Sequence, residues 1–281
     1  MKTLPLVGSF ICRYLCPMKD LFSSGATEYA RFRPQYPAAL FDYILSFVQD
    51  RWQAWDAGCG NGQTAHILSR YFEAVLATDI SNEQLSHAQP APNIQYKREL
   101  SSACSLPDGS VDFIAISQAL HWFELDAFYR EVHRVAKPNA WIAAWGYQLI
   151  RIDPEVDASI DQLYTTVLGP YWDAERKHID QAYAQLPFPF STISDPGFSI
   201  EEEWFPGQLE GYLRTWSAWK HFRQAHPTEP DPIAQLMQSI ASIWPATTAR
   251  PVRFPHPGDH APGNDREPAR SGGRVAGGQA G

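Results

Sequence analysis

The chain has 281 residues, is 44% apolar and carries a net charge of −8. That length and apolar content suit one large α/β domain with room for a helical elaboration. The acidic balance, with no dense basic cluster, excludes a broad phosphate-backbone footprint, and no apolar run approaches the ~20 residues of a membrane span. Neither nucleic acid nor membrane is therefore an expected partner.

The N-terminal residues 1–17 combine Lys2 with the apolar stretch LPLVGSFI, but Arg13 and Cys16-Pro17 follow where a signal peptide would carry a small-residue cleavage pattern. We read this stretch as an unstructured extension, with Met18 as the start of the enzyme proper and the main domain over 18–256. The four cysteines, Cys12, Cys16, Cys59 and Cys104, have no metal-ligand spacing beyond a lone C-x3-C. They read as free thiols in a reducing cytoplasm, and no metal is expected.

The segment 22–36, FSSGATEYARFRPQY, brings Tyr29, Arg31, Arg33 and Tyr36 together, as surface decoration or as an arm whose cation meets a carboxylate. Pro37 then opens a helix with Leu40, Phe41, Ile44, Leu45 and Val48 on its apolar face. Next comes WDAGCGNG over 55–62. An apolar strand runs into glycines at alternate positions, Gly58, Gly60 and Gly62, and a helix follows. Glycine permits positive φ and close ligand approach, and the helix N-terminus favours an anionic group. The strand AVLAT (74–78) ends at Asp79, placed to accept hydrogen bonds from ribose hydroxyls or simply to end a strand. Ser81 and Gln84 form a capping box for the next helix.

A third strand is expected over 94–97 and a fourth, VDFIAIS, over 111–117, running into QALHWF (118–123). A helix over 126–135 stops at Lys137-Pro138-Asn139, and 140–145 is a fifth strand. Strands alternating with helices predict a parallel sheet with right-handed crossovers.

Taken together, YARFRPQYP (29–37), WDAGCGNGQ (55–63), ATDIS (77–81), LPDGSVD (106–112), QALHWF and RVAKPNAWIAAW (134–145) resemble class I S-adenosylmethionine-dependent methyltransferases, with the trans-aconitate methyltransferase-like proteins as the most similar subgroup. The glycine spacing departs from a dinucleotide-binding turn, which demotes an oxidoreductase reading. The resemblance implies a Rossmann-like α/β fold: a central, mostly parallel seven-stranded sheet flanked by helices, here with an incomplete last strand. It implies S-adenosylmethionine as cofactor, a cofactor core over about 50–147 and an acceptor-side region over about 151–245. By the same resemblance Asp56, Gly58, Cys59, Gly60 and Gly62 line the methionine half. Asp79 and Ile80 take the ribose and adenine, with Ser102 and Ala103 near the adenine. Gln118, Ala119 and His121 stand beside the methyl donor, and Tyr29 and Arg33 close over the cofactor. Asn139-Ala140 stands where the family has Gly-Gly, as a turn variant.

The second half reads as helices over 154–168, 172–185 and 209–222, a stiff linker over 186–190 and a sixth strand over 200–205. Tyr212, Trp216 and Trp219 at helical spacing serve as core or as a cover over a small acceptor, and Trp122, Trp145 and Tyr171 join them as acceptor-side candidates. His121 is the candidate base where the acceptor is a phenol or amine; a carboxylate acceptor needs none. Residues 251–254 begin a last strand for the sheet, and 257–281, with almost nothing large and apolar, is expected to be disordered. The leading reading is methyl transfer to a small molecule, a carboxylate among the candidate acceptors, by in-line displacement. The alternative is a cofactor-binding protein with weak or no catalysis. Sequence leaves the oligomeric state open.

Overall fold

The computed structural model describes residues 31–193 and 197–255 and the backbone of 274–277. In chain order it builds α1 (Ala38–Leu45), β1 (Gln53–Ala57), α2 (Gln63–Leu68), β2 (Ala74–Asp79), α3 (Asn82–Ser86), β3 (Ile94–Arg98), β4 (Val111–Ser117), α4 (Leu125–Val135) and β5 (Ala136–Trp145). Strands β3, β2, β1, β4 and β5 lie side by side in that order, all parallel. Strands β1 and β4 are buried along nearly their whole length, as a sheet covered on both faces requires. One face packs on α1 and α2 through Phe41, Ile44, Leu68 and Phe113, the other on α4 through Phe128, Val132 and Val135.

Of the expected capping box only the N-cap half forms: Ser81 Oγ accepts from Gln84 N at 3.2 Å, while the Ser81 N–H donates to Asp79 Oδ1 at 2.9 Å instead of to the Gln84 side chain. Lys137-Pro138-Asn139 differs from expectation: it is no turn but part of β5, which starts at Ala136 and shifts register against β4 between Val111 and Phe113. Asn139-Ala140 thus lies in a strand. The buried carboxylate of Asp112 holds this irregularity, taking Lys137 Nζ at 2.6 Å and the N–H groups of Trp52 and Gln53 at 2.9 Å each.

Two further strands extend the sheet beyond β5. β6 (Thr192–Ile193) and β9 (Arg274–Gly277) run antiparallel, in the order β5-β9-β6. The expectation of disorder over 257–281 fails for 274–277, because strand pairing uses main-chain groups and needs no large apolar side chain. The rest of that segment lies outside the described residues, as do 1–30. The stretch 250–254 is a strand, β8 (Arg250–Phe254), but not the sheet's last one. It pairs antiparallel with β7 (Ile200–Trp204) in a separate ribbon. The expected sixth strand over 200–205 accordingly leaves the main sheet.

The ribbon closes a helical layer made of α5 (Pro154–Gln162), α6 (Pro206–Arg214), α7 (Ser217–Ala225) and α8 (Pro232–Ile240). Its core holds Ile160, Trp204, Tyr212, Trp216, Trp244 and Phe254. Helix α5 continues into a π-helical turn at Leu163–Val167. The single helix expected over 209–222 is two, broken at Thr215-Trp216, because Thr215 Oγ1 donates to Tyr212 O at 2.6 Å and Trp216 takes extended backbone. The helix expected over 172–185 shrinks to short turns ending at Lys177–Asp180, after which Ala182 and Tyr183 adopt φ of 55° and 58°. That reversal buries the Tyr183 ring beside His121. Among the described residues no helix is long and apolar enough to cross a membrane.

Candidate functional site

A cleft opens at the carboxyl ends of β1, β2 and β4, where open α/β sheets bind ligands. It encloses about 1090 Å³ of empty space, mouth included. Its floor is the turn after β1. Gly58, Gly60 and Gly62 have φ of 70°, 53° and 80°. The Gly58 and Cys59 N–H groups donate to Thr78 O at 2.8 and 2.9 Å, tying the turn to β2. A Cβ on Gly58 would stand 2.7 Å from Ala119 Cβ and 3.0 Å from the Phe123 ring, so only glycine lets the 118–123 turn come this close.

Asp79 organises the other side of the floor. Its two carboxylate oxygens accept from Gly60 N at 2.8 Å and Ser81 N at 2.9 Å. Ile80, Glu99 and Ser101 continue this wall. Opposite, Gln118 lies in the left-handed region with φ 54°, its N–H donating to Trp145 O at 2.9 Å and its Nε2 to Tyr147 O at 3.2 Å. A non-glycine residue held there is the kind of backbone strain that clusters at functional sites. Trp122, Phe123, Tyr147 and Arg33 complete the lining. Arg33 Nη1 donates to Tyr147 Oη at 3.0 Å, and its guanidinium lies 5.4 Å from the Tyr212 ring centroid.

Of the residues singled out in the sequence, Arg33, Gly58, Cys59, Gly60, Asp79, Ile80, Gln118, Ala119 and Trp122 line the cleft. Others do not. Asp56 is fully buried beneath the turn, and neither carboxyl oxygen has a hydrogen-bond partner. Burial pushes its pKa up to about 8, outweighing the opposing pull of the Ala65 N–H, with the charge of Asp79 adding a lesser upward push. Gly62 turns away from the cleft and abuts Tyr96, whose hydroxyl would sit 2.4 Å from an added Cβ. Ser102 and Ala103 lie outside the lining, with Glu99 and Ser101 in their place.

His121 is also off the cleft wall. Its Nδ1 meets Tyr183 Oη at 3.3 Å, its ring lies 4.7 Å from that of Trp122, and burial with Arg176 and His178 nearby drives its pKa down to about 3. Trp145 is core, edge-on to Tyr36 and Phe41. Tyr171 bonds His226 Nε2 at 2.6 Å, Trp216 is buried in the helical core, and Trp219 donates to Asp231 at 3.0 Å. None of these four lines the cleft: the helix break at 215–216 removes the common face expected of Trp216 and Trp219, while Trp145 lies on β5 and Tyr171 in a separate turn. Tyr29 lies outside the described residues.

Sequence reasoning missed Glu99, Ser101 and Tyr147 in the lining, which Tyr36 of the expected arm joins. Glu99 follows directly after β3 and Tyr147 stands two residues past the end of β5, and the strand-end rule that found Asp79 would have found them too.

A family model described as a methyltransferase domain matches residues 55–144, from β1 through β5. A protein of Dictyostelium discoideum, assigned provisionally to the methyltransferases, is 30% identical over 232 residues, covering 81% of this chain and 88% of that protein. A Saccharomyces cerevisiae protein assigned to the S-adenosylmethionine-dependent methyltransferases is 24% identical over 246 residues, 73% of this chain and 83% of its own length. Among solved structures, a provisionally assigned type II methyltransferase from Anaeromyxobacter dehalogenans is 36% identical and superposes with a TM-score of 0.74, covering 88% of this chain and 98% of that one. These likenesses do not single out the trans-aconitate subgroup. The chain belongs to the class I S-adenosylmethionine-dependent methyltransferases, and S-adenosylmethionine is its cofactor.

Proposed function

We propose that the chain transfers a methyl group to a small-molecule acceptor, with a carboxylate as the favoured accepting group, by in-line displacement. The cleft fits the cofactor on its own geometry. A side-chain-free cradle at Gly58 and Gly60 admits close backbone approach, and Asp79, at the end of β2, brings a carboxylate to the cleft wall where ribose hydroxyls would lie. Ile80 supplies an apolar face, and Arg33 a cation for a carboxylate end. In this reading Asp79, Ile80, Glu99 and Ser101 hold the nucleoside side, while Gly58, Cys59, Gly60 and Arg33 hold the amino-acid side. Asp56 shapes the turn from below.

Bound S-adenosylmethionine supplies a methyl group activated by a positively charged sulfur. The chain's own part is alignment and exclusion of water. Gln118 and Ala119, fixed by the Trp145 and Tyr147 carbonyls, set the wall nearest the acceptor, and Trp122 with Tyr147 narrows the approach. Positioning of this kind contributes several kcal/mol without a special nucleophile. An ionised carboxylate has no proton to lose, so it needs no base at a site where the nearest histidine is a weak one.

The observation that carries the reading is the cleft's walled form, closed on the acceptor side by Gln118, Trp122 and Tyr147, which suits a small molecule rather than a polymer. The alternative of a cofactor-binding protein without catalysis rested on an incomplete last strand. The pairing of β9 with β5 removes that motive. The test is a metabolite screen with methyl-labelled S-adenosylmethionine, using Asp79→Ala as the blank. Label in small-molecule products, absent from the blank, supports the proposal; cofactor binding without any labelled product favours the alternative.

A further inference from the structure

Behind Trp122 the segment Asp173–Asp180 carries an arginine that the fold has not used up. Arg176 Nε donates to Tyr164 Oη at 2.9 Å and lies 3.5 Å from Asp180 Oδ1, while its guanidinium is 5.2 Å from the Trp172 ring centroid. Neither terminal nitrogen has a hydrogen-bond partner among the described residues. Two other ion-paired arginines, Arg134 and Arg214, behave differently. Arg134 spends its donors on Glu131, Asp108 and two carbonyls, and Arg214 spends its own on Glu210 and Asp231. Yet their side chains are 34% and 29% exposed, against 20% for Arg176. The least exposed of these three guanidiniums makes the fewest bonds, and its terminal nitrogens are not among the fully buried polar atoms, so the fork opens onto space that water or a ligand can fill.

Its surroundings have the matching character. The Arg176 charge bears on His121, Tyr183 and Tyr212. The Arg33 guanidinium also lies 5.4 Å from the Tyr212 ring centroid, so the charges of both arginines act on this tyrosine. His178, two residues on, has a buried Nδ1 with no partner. Of the three acids in the segment, Asp180 sits on the exposed side against Nε and Tyr164 Oη, Glu175 acts on His178, and the nearly buried Asp173 faces His221 at 3.9 Å.

We propose that Arg176, backed by Tyr212, Tyr183 and His178, anchors an anionic group of the methyl acceptor, a carboxylate or a phosphate borne away from the accepting atom. The forked donors of a guanidinium suit either anion. The anchored group is not the accepting one, because Arg176 is set behind Trp122 and pairing draws charge off the oxygens it holds. The inference rests on the proposal that the chain methylates small molecules, and it narrows that class to acceptors with such a charge.

The test reads binding on the full chain with S-adenosylmethionine present, through quenching of tryptophan fluorescence, since Trp172 flanks the guanidinium. The probes are succinate, benzoate and phenyl phosphate, with benzamide as the neutral control. In the unmodified chain at least one anion binds tenfold or more tightly than benzamide, and comparison of the carboxylates with phenyl phosphate identifies the anion. Arg176→Gln costs that anion at least tenfold in affinity and leaves both benzamide and S-adenosylmethionine binding unchanged, a split that a merely structural arginine would not give. Arg176→Lys, which keeps the charge and loses the fork, falls between the two and decides the matter if the glutamine variant does not hold cofactor. Anions bound no better than benzamide, or bound equally by the unmodified chain and the variants, overturn the proposal. Because the readout is binding, anions held through Arg176 by a chain that methylates nothing would overturn the proposed function and not the site.

Discussion

Two ionisable side chains near the cleft are set far from their ordinary behaviour, and each makes a measurable claim. Asp56 is raised from 3.8 to about 8 by burial and by Asp79. Between those values the native state holds a proton that the unfolded chain has released, so stability falls as pH rises through the window and levels off above it. At pH 8.5 and above the cost is on the order of a few kcal/mol. Asp56→Asn keeps the shape and removes the titration. In urea unfolding at about pH 5.5 and 8.5, the unmodified chain is expected to lose stability between the two, and the variant to lose much less; equal slopes would refute the burial argument. His121 makes the opposite case. With a pKa near 3 it is uncharged at neutral pH and drives proton removal poorly. His121→Ala should retain methyl transfer within about tenfold. The kcat/KM profile should have no limb near pH 6–7 that the substitution abolishes; a limb lost with the histidine would restore it as the base. The sequence named both residues as candidates, from a motif and from an unperturbed pKa, but could not supply the burial that changes their roles.

At the scale of the element, the strand–turn–helix of β1 and α2 is where sequence spoke most clearly. Three glycines at alternate positions demanded positive φ, and all three have it, yet they use it differently: Gly58 and Gly60 clear the cleft, while Gly62 makes room for Tyr96. Gly58→Ala combines an unfavourable φ with a contact of 2.7 Å to Ala119 Cβ, a site with no flexible side chain to give way. A loss of about 1–3 kcal/mol in stability and at least a tenfold loss of S-adenosylmethionine affinity are expected, by thermal unfolding and calorimetry. Gly62→Ala is expected to cost stability with a smaller effect on affinity at permissive temperature. If the two variants lost affinity alike, the division of labour between the glycines would be wrong. The parallel strands β1 to β4 were legible because buried apolar runs bounded by turn residues have few other uses. The helical layer was less so. Tyr212, Trp216 and Trp219 fit one helical stripe by spacing, and nothing local to that spacing reveals that the Thr215 hydroxyl will take the Tyr212 carbonyl and end the helix. Arg176 escaped notice for the same reason: its meaning lies in partners it lacks, which only the packed structure defines.

For the whole molecule the question is how the sheet ends. The cleft draws mainly on the ends of β1, β2 and β4, with Glu99 after β3 and Tyr147 after β5, whereas β9 and β6 finish the edge beyond β5 and reach the cleft only through that strand. Composition argued against order over 257–281 because it counted apolar side chains, while β9 joins through main-chain pairing along Trp141–Ala144 of β5. The helical layer is tied on elsewhere, by the reciprocal hydrogen bonds of Arg151 and Arg253 at 2.7 and 2.8 Å and by the β7–β8 ribbon. Stability of the edge and chemistry of the cleft are therefore separable. Removing residues 256–281 takes β9 away, leaves β5 with an open, largely apolar edge and deprives β6 of its partner. An unpaired strand edge invites pairing with other chains. The truncated chain should unfold at a lower temperature and scatter light at concentrations where the full chain stays clear. At temperatures where both are folded, calorimetry should find S-adenosylmethionine affinity within about threefold of the full chain, because no residue of the described cleft has been touched. An unchanged unfolding temperature would mean that β9 adds nothing to the sheet. An affinity lost in step with the edge would mean that the cleft and the far strands are one cooperative unit, and that the tail serves the cofactor site after all.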